Sequence, residues 1–137
     1  MKGRKRHILV DCLGLIWKAL VTPANVQDQD GALIILDACL GVLDRLVKVL
    51  ADSAYGKDRL NTWLALFTPW TLEIVKALEG QKGFQVQPWR WIVERTFAWL
   101  GKFRRFSKDY EFLAQTSESM IYAAMSRLTV ARLARIK

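Results

Sequence analysis

The sequence is poor in metal-binding side chains other than carboxylates, with one histidine and two cysteines among 137 residues. A structural zinc site needs about four ligands, so His7, Cys12 and Cys39 are too few to build one. Both cysteines lie in apolar sequence. They are interpreted as small buried hydrophobic residues of a protein in a reducing compartment.

Long apolar runs are also missing, although 52% of the residues are hydrophobic. No run approaches the ~18–20 residues that a membrane span needs. The basic start resembles that of a signal peptide, but Asp11 and Lys18 interrupt the apolar stretch after it, and no cleavage site is evident. The sequence therefore predicts neither secretion nor insertion into a membrane.

Acidic residues are outnumbered: 21 Lys and Arg face 13 Asp and Glu, which gives a net charge of +8. That balance indicates a polyanionic partner, most often nucleic acid or an anionic membrane surface. No RNA-binding motif supports an RNA-binding protein. The length fits one domain over residues 1–137, and six Trp and six Phe can contribute to its core.

The order of apolar runs and turn residues predicts an α/β fold. Runs at 7–10 and 15–21, around a turn from Asp11 to Gly14, predict a β-hairpin. The further predicted elements are a helix from Asp28 or Asp30 to about Arg45, a buried strand over 47–51, a helix over 57–67, strands over 72–75 and 84–86, a helix opened by Pro88, and a last helix from Thr116 or Ser117 with Glu118 in its first turn.

Cations concentrate between residues 82 and 108, where seven basic residues accompany one acid, Glu94. Helical spacing places Arg90 and Arg105 within about 40° of Glu94 around the helix axis. The simpler interpretation is an ordinary surface ion pair between Arg90 and Glu94, which stabilises little. The aromatic residues of this stretch, Trp91, Phe97, Trp99 and Phe103, are interpreted as core.

Asp52 directly follows an apolar strand, at the position where α/β sheets present side chains to a crevice. A helix cap or turn residue would occupy the same position, so both interpretations stay open. If Asp52 and Glu94 met, they could hold a divalent metal with phosphate oxygens as further ligands. Two such metals can stabilise the attacking and leaving oxygens in phosphoryl transfer.

Four segments carry a family resemblance: residues 2–11, 51–56, 91–100 and 107–111. They resemble insertion-sequence DDE transposases of the fifth insertion-sequence family. The resemblance covers essentially the whole chain, and the match over 91–100, Trp-Ile-Val-Glu-Arg-Thr-Phe-Ala-Trp-Leu, is the most specific.

The resemblance implies a ribonuclease-H-like fold that cleaves and transfers DNA strands in transposition. Members use three acids, Asp, Asp and Glu, to bind two Mg²⁺ (or Mn²⁺) ions. Asp52 then corresponds to the second acid and Glu94 to the third, both as catalytic metal ligands. Arg90 matches the arginine of the family's Tyr–Arg–Glu–Lys pattern and joins them as a catalytic residue.

The sequence departs from the family pattern in three places. Gln87 stands where the pattern has tyrosine, and Gly101 stands where it has lysine, with Lys102 one step further. The first acid belongs to a strand before residues 2–4. Asp11 falls in the hairpin turn and is interpreted as a turn residue rather than a replacement ligand.

The expected fold is therefore an incomplete ribonuclease-H-like α/β domain, a mixed sheet with flanking helices whose first strand is missing. The strands at 7–10 and 47–51 would flank the gap and expose unpaired edges. We expect this partial catalytic domain to be a truncated transposase, inactive alone, that self-associates or binds an upstream transposase segment.

DNA is the expected partner, bound in a salt-sensitive way with weak sequence preference. The candidate DNA-binding residues are Arg4, Lys5, Arg6, Arg95, Lys102, Arg104 and Arg105. The alternative function is a non-catalytic DNA-binding fragment that inhibits transposition. Either function implies a bacterial protein of the cytoplasm, associated with the nucleoid.

Overall fold

The computed structural model describes residues 3–56, 58–75, 89–106 and 108–136, which form a mixed α/β structure. Its helices and strands are β1 (Arg4–Val10), β2 (Ile16–Pro23), α1 (Asp28–Cys39), β3 (Lys48–Ala51), α2 (Asp58–Phe67), β4 (Thr71–Ile74), α3 (Arg90–Gly101) and α4 (Ala114–Leu133). Short 3₁₀ helices lie at Ser53–Tyr55 and Arg104–Phe106. The α/β class predicted from the sequence is confirmed.

The chain forms two compact units. The first unit comprises Met1–Asn25 and Ile92–Lys137, and the second comprises Val26–Trp91. Helix α3 belongs to the first unit from Ile92 onward. Trp91 and Phe97 of this helix are exposed, so the prediction that they belong to the core is wrong. The predicted strand at 84–86, together with Lys82, Gln87 and Pro88, lies outside the described residues.

The first unit is built on an antiparallel hairpin in which His7 of β1 stands opposite Leu20 of β2. The carboxylate of Asp11 accepts hydrogen bonds from the amides of Leu13 at 2.9 Å and Leu15 at 3.0 Å. These bonds close the turn, because an aspartate oxygen can replace a backbone acceptor there. The predicted hairpin and the turn role of Asp11 are both confirmed.

Helix α4 packs on β2 and covers its outer edge. The hydroxyl of Tyr122 accepts a 2.8 Å hydrogen bond from the Ala19 amide, and Glu118 Oε1 accepts one of 2.8 Å from the Val21 amide. Side chains of α4 therefore satisfy edge amides that would otherwise be open to another strand. The core beneath consists of Ala19, Val21, Leu100, Phe106, Ile121 and Ala124.

The start of α4 corrects a prediction. The helix begins at Ala114, before the predicted Thr116 or Ser117, and Leu113 stands at the cap without a side-chain bond. Glu118 is consequently not in the first turn. Its carboxylate binds the edge of β2, a long-range contact that the local sequence does not encode.

The second unit pairs β3 with β4 in parallel, with Val49 opposite Leu72. Helix α1 packs against α2, and α2 contacts β4. Helix α2 confirms the predicted helix at 57–67, although Lys57 itself lies outside the described residues.

Two predictions for this unit are wrong in detail. Helix α1 ends at Cys39 rather than near Arg45, because Gly41 turns the chain with a φ of +75°. Strand β3 is not a buried strand: Val49 is buried, whereas Lys48 and Leu50 are exposed. Within the described residues, β3 has one neighbouring strand and so is covered incompletely.

The two cysteines also differ from each other. Cys39 is buried near the end of α1, as predicted, but Cys12 is exposed. Cys12 lies in the hairpin turn, where the chain reverses direction at the surface. The prediction of a buried residue is wrong for this cysteine.

The hairpin turn is fixed to α3 through two successive backbone carbonyls. Thr96 Oγ1 donates a 2.7 Å hydrogen bond to the Gly14 carbonyl, and Arg95 Nη2 donates a 2.9 Å bond to the Leu13 carbonyl. Gly14 has a φ of +82°, and a Cβ added there would lie 2.9 Å from Thr96 Oγ1. Only glycine allows both this backbone conformation and this close approach.

Gly14→Ala should therefore destabilise the fold by about 3 kcal/mol, through left-handed backbone strain and displacement of Thr96. Gly41→Ala is the matched control, since Gly41 shares the left-handed conformation but a Cβ there would meet nothing within 4 Å. It should cost about 1 kcal/mol. Denaturant unfolding measures both, and equal losses would show that the contact with α3 does not constrain Gly14.

Candidate functional site

Asp52 lies immediately after β3 and has an exposed side chain. Its Oδ1 accepts a 2.9 Å hydrogen bond from the Ala54 amide, which caps the short helix Ser53–Tyr55. The capping role left open by the sequence is thus confirmed. It uses one carboxylate oxygen, and the described residues show no hydrogen bond to the other, so capping and metal ligation are compatible.

Tyr55 stands three residues after Asp52 and was not singled out from the sequence. Burial and the nearby carboxylates of Asp28 and Asp52 raise the pKa of Tyr55 to about 12. The phenol therefore stays neutral at pH values at which an ordinary tyrosine loses its proton. Its place in the segment Ala-Asp-Ser-Ala-Tyr-Gly was the signal that could have drawn attention to it.

Helix α3 carries Glu94 with an exposed side chain, and Arg90 is its first residue. Trp89, just before it, has a φ of +71°, a strained value for a bulky residue. Such strain is found disproportionately near functional sites. The ion pair between Arg90 and Glu94 stays a prediction.

Four of the five carboxylates in the first unit have visible structural roles. Asp11 closes the turn and Glu118 binds β2, as described above. Asp109 forms a 3.0 Å ion pair with Arg4, and Glu111 accepts from Arg105 Nε at 2.5 Å. Glu94, the fifth, has an exposed side chain on α3 and also makes an interaction of its own.

Several of the candidate DNA-binding cations hold the fold together. Arg4 donates to Asp109 and also to the carbonyls of Glu111 at 2.9 Å and Phe112 at 2.5 Å. Arg6 lies over the ring of Phe106 at 5.4 Å. These contacts fix the two guanidinium groups of the hairpin against Phe106 and residues 109–112, and Lys5 between them is half-buried.

Another group of candidates faces solvent after α3. Lys102, Arg104 and Arg105 line a surface depression together with Gly101 and Tyr110. All three cationic side chains are exposed, and Arg105 is paired with Glu111. Among the predicted cations of the first unit, this cluster is the best placed to meet a polyanion.

The two units differ sharply in charge. The first unit has 14 Lys and Arg against five Asp and Glu, a formal charge of +9. The second has seven against eight, a formal charge of −1. The basic excess of the protein, and with it the attraction for a polyanion, therefore belongs to the first unit.

A metal site cannot be built from the described residues alone. They include no cluster of three or more His, Cys, Asp or Glu that could hold a metal ion. Asp52 belongs to the second unit and Glu94 to the first. Their oxygens are the ligand type that Mg²⁺ prefers, but two carboxylates need further ligands.

None of the described helices combines the length and apolarity needed to cross a membrane.

Replacing Tyr55 should change how stability depends on pH. Because the folded-state pKa lies above the ordinary value of 10.0, the tyrosine stabilises the fold below pH 10, and this contribution is lost as the pH rises to about 12. In Tyr55→Phe, the free energy of unfolding should fall less over this range. Denaturant titrations from pH 9 to pH 12 test this, and identical pH profiles would contradict it.

Comparison with known proteins places these residues in a family. The sequence profile of the family described as "Transposase DDE domain" matches residues 1–129. The chain is 33% identical over 116 residues to the "Putative transposase for insertion sequence element IS402" of Burkholderia cepacia, covering 80% of this chain and 54% of that relative. The chain thus spans about half the length of this relative.

No solved structure matches the chain. Members of the matched family generally use divalent metal ions. The resemblance to insertion-sequence DDE transposases found in the sequence is confirmed by the profile and by the relative. The chain belongs to the DDE transposase domain family.

Proposed function

We propose that this chain is a C-terminal part of a ribonuclease-H-like catalytic domain that cleaves and transfers DNA strands in the transposition of an insertion sequence. Asp52 and Glu94 are two of its three metal-binding acids, and Arg90 assists them. The observation that carries the proposal is an exposed aspartate directly after a parallel strand and an exposed glutamate on α3, both inside the family match over 1–129.

The third acid comes from outside these 137 residues. Asp11 is committed to the hairpin turn, where its carboxylate accepts from two amides and from Trp17 Nε1 at 3.2 Å. A strand that carries the third acid would need an open strand edge to pair with. Each of the two sheets has such an edge, one on β1 and one on β3.

The outer edge of β1 offers one such edge. Because the amides of Ala19 and Val21 point to α4, the residues opposite them, Ile8 and Arg6, also direct their amides away from the hairpin. Within the described ranges, no group is bonded to these two β1 amides.

The outer edge of β3 offers another. The amides of Thr71 and Val75 donate to the carbonyls of Val47 at 3.0 Å and Ala51 at 2.8 Å. The backbone N–H and C=O groups of successive residues in a strand point to opposite sides, so those of Lys48 and Leu50 point away from β4. A strand that pairs with β1 or with β3 would extend the sheet that it joins, as the larger mixed sheet of a ribonuclease-H-like fold requires.

Mg²⁺ or Mn²⁺ fits the donor chemistry of Asp52 and Glu94, since both ions take carboxylate oxygens. When bound, such an ion stabilises the charge that develops on phosphoryl oxygens during displacement. The chain's own part is to hold the acids: β3 and its cap place Asp52, while the bonds from Thr96 and Arg95 to the hairpin turn anchor the helix that carries Glu94.

In this proposal the first unit binds the DNA. Its charge of +9 favours phosphate binding, and the exposed residues Lys102, Arg104 and Arg105 are the primary contacts. The same charge favours the alternative function, a DNA-binding fragment without catalysis that competes for element ends. We expect the chain to act in the bacterial cytoplasm, associated with the nucleoid.

The chain alone, with Mg²⁺ or Mn²⁺ and a duplex carrying the element's ends, should give no cleavage. Adding the segment encoded immediately upstream, in cis or as a separate polypeptide, should restore cleavage and raise the unfolding temperature, because a partner that binds the folded state stabilises it. Light scattering should show less self-association, since the open edges become paired.

In the restored system, Asp52→Asn or Glu94→Gln should lower cleavage about a hundredfold or more, as expected for a misplaced reacting group. Asp44→Asn, in an exposed acid of the same unit as Asp52, is the matched control. Cleavage by the chain alone that disappears in Asp11→Asn would identify Asp11 as the third ligand. DNA binding without cleavage in every combination would favour the inhibitor.

A further inference from the structure

Two arginines of α4 stand over aromatic rings of the segment 99–103. The guanidinium of Arg132 lies 4.2 Å from the ring centre of Trp99, which Arg95 also contacts at 4.7 Å. The guanidinium of Arg127 lies 5.8 Å from the ring centre of Phe103. Stacking of this kind fixes the plane of a guanidinium group while its N–H edges stay available for hydrogen bonds.

Neither Arg127 nor Arg132 has a carboxylate partner among the described residues, and both side chains are exposed. The sequence contains no Asp or Glu after Glu118, although Arg127, Arg132 and Arg135 all follow it. The second half of α4 is therefore a cationic surface that no nearby acid on its own helix neutralises.

The two side chains differ from the cations of the hairpin. Arg4 donates to three oxygen acceptors of its own chain, so its hydrogen-bonding capacity is largely used. For Arg127 and Arg132, by contrast, the guanidinium contacts within the described residues are with aromatic rings, which leaves the N–H groups available for hydrogen bonds. Preorganised guanidinium groups of this type match the paired oxygens of a phosphate.

We propose that Arg127 and Arg132, positioned by Phe103 and Trp99, contact the phosphate backbone of duplex DNA. The proposal rests on the proposed function and deepens it, because it adds a second contact surface on α4 to the cluster of Lys102, Arg104 and Arg105. The two arginines are separated by five residues along the sequence, which corresponds to about 7.5 Å along the helix axis, so we expect them to contact different backbone phosphates.

The test is the salt dependence of binding to a 30-base-pair duplex of random sequence, measured by fluorescence anisotropy with the whole chain. Each phosphate contact contributes about 0.9 to the slope of log K against log salt concentration. The double variant Arg127→Gln, Arg132→Gln should lower that slope by about 1.8. The control, Arg45→Gln with Lys48→Gln, removes two exposed cations of the second unit and should leave it unchanged.

A second measurement uses the wild-type chain, so it tests the proposal even if the double variant does not fold. Phenylglyoxal modifies accessible arginines, and mass spectrometry locates the modified residues. Duplex DNA should protect Arg127 and Arg132 several-fold from modification while Arg45 reacts as before. Equal reactivity with and without DNA would overturn the proposal.

The outcomes separate this inference from the proposed function. Wild-type chain that does not bind DNA at low salt would overturn both. Binding whose slope is the same in the Arg127, Arg132 variant would overturn this inference alone. A slope that falls equally in the control, or tighter binding to an RNA duplex of equal length than to the DNA, would also overturn it.

Discussion

The fold of the first unit depends on the way α4 saturates one edge of the hairpin. Glu118 and Tyr122 accept the amides of Val21 and Ala19, so no further strand can pair with β2. The hairpin then has a single edge left, on β1. The same contacts bring α4 over the core residues Leu100 and Phe106 and fix the relation between α4 and the end of α3.

The two units differ in formal charge and in their proposed roles. The first unit carries the basic excess, and it also carries Glu94 on α3. The second unit is nearly neutral and carries Asp52 on the cap after β3. A cationic surface that attracts DNA and a small number of acids that hold metal ions are separate requirements, and here they fall largely on different segments.

Local features of the sequence were sufficient to predict the hairpin, α2 and the position of Asp52. Alternating apolar runs around an Asp and Gly turn are a local signal, and so is an aspartate after an apolar strand. The predicted end of α1 was wrong because the apolar residues Leu43 and Leu46 continue the helical spacing in the sequence, whereas the backbone conformation of Gly41 ends the helix before them.

The remaining features depend on contacts between distant segments. The exposure of β3 follows from its number of neighbouring strands, and the role of Glu118 follows from an edge about a hundred residues away. Tyr55 is unusual only because of the groups around it. Arg127 and Arg132 acquire their significance from Phe103 and Trp99, which no periodicity within α4 reveals.

The proposal that Asp52 and Glu94 are ligands of one metal ion can be tested by metal-directed cleavage of the polypeptide. Fe²⁺ can replace Mg²⁺ and, with ascorbate and peroxide, cut the polypeptide near the bound metal. With DNA and the upstream segment present, mass spectrometry should find cuts beside residue 52 and beside residue 94, and both clusters should disappear together in Asp52→Asn or in Glu94→Gln. Cuts at one position only, or a variant that removes only its own cluster, would contradict a shared site.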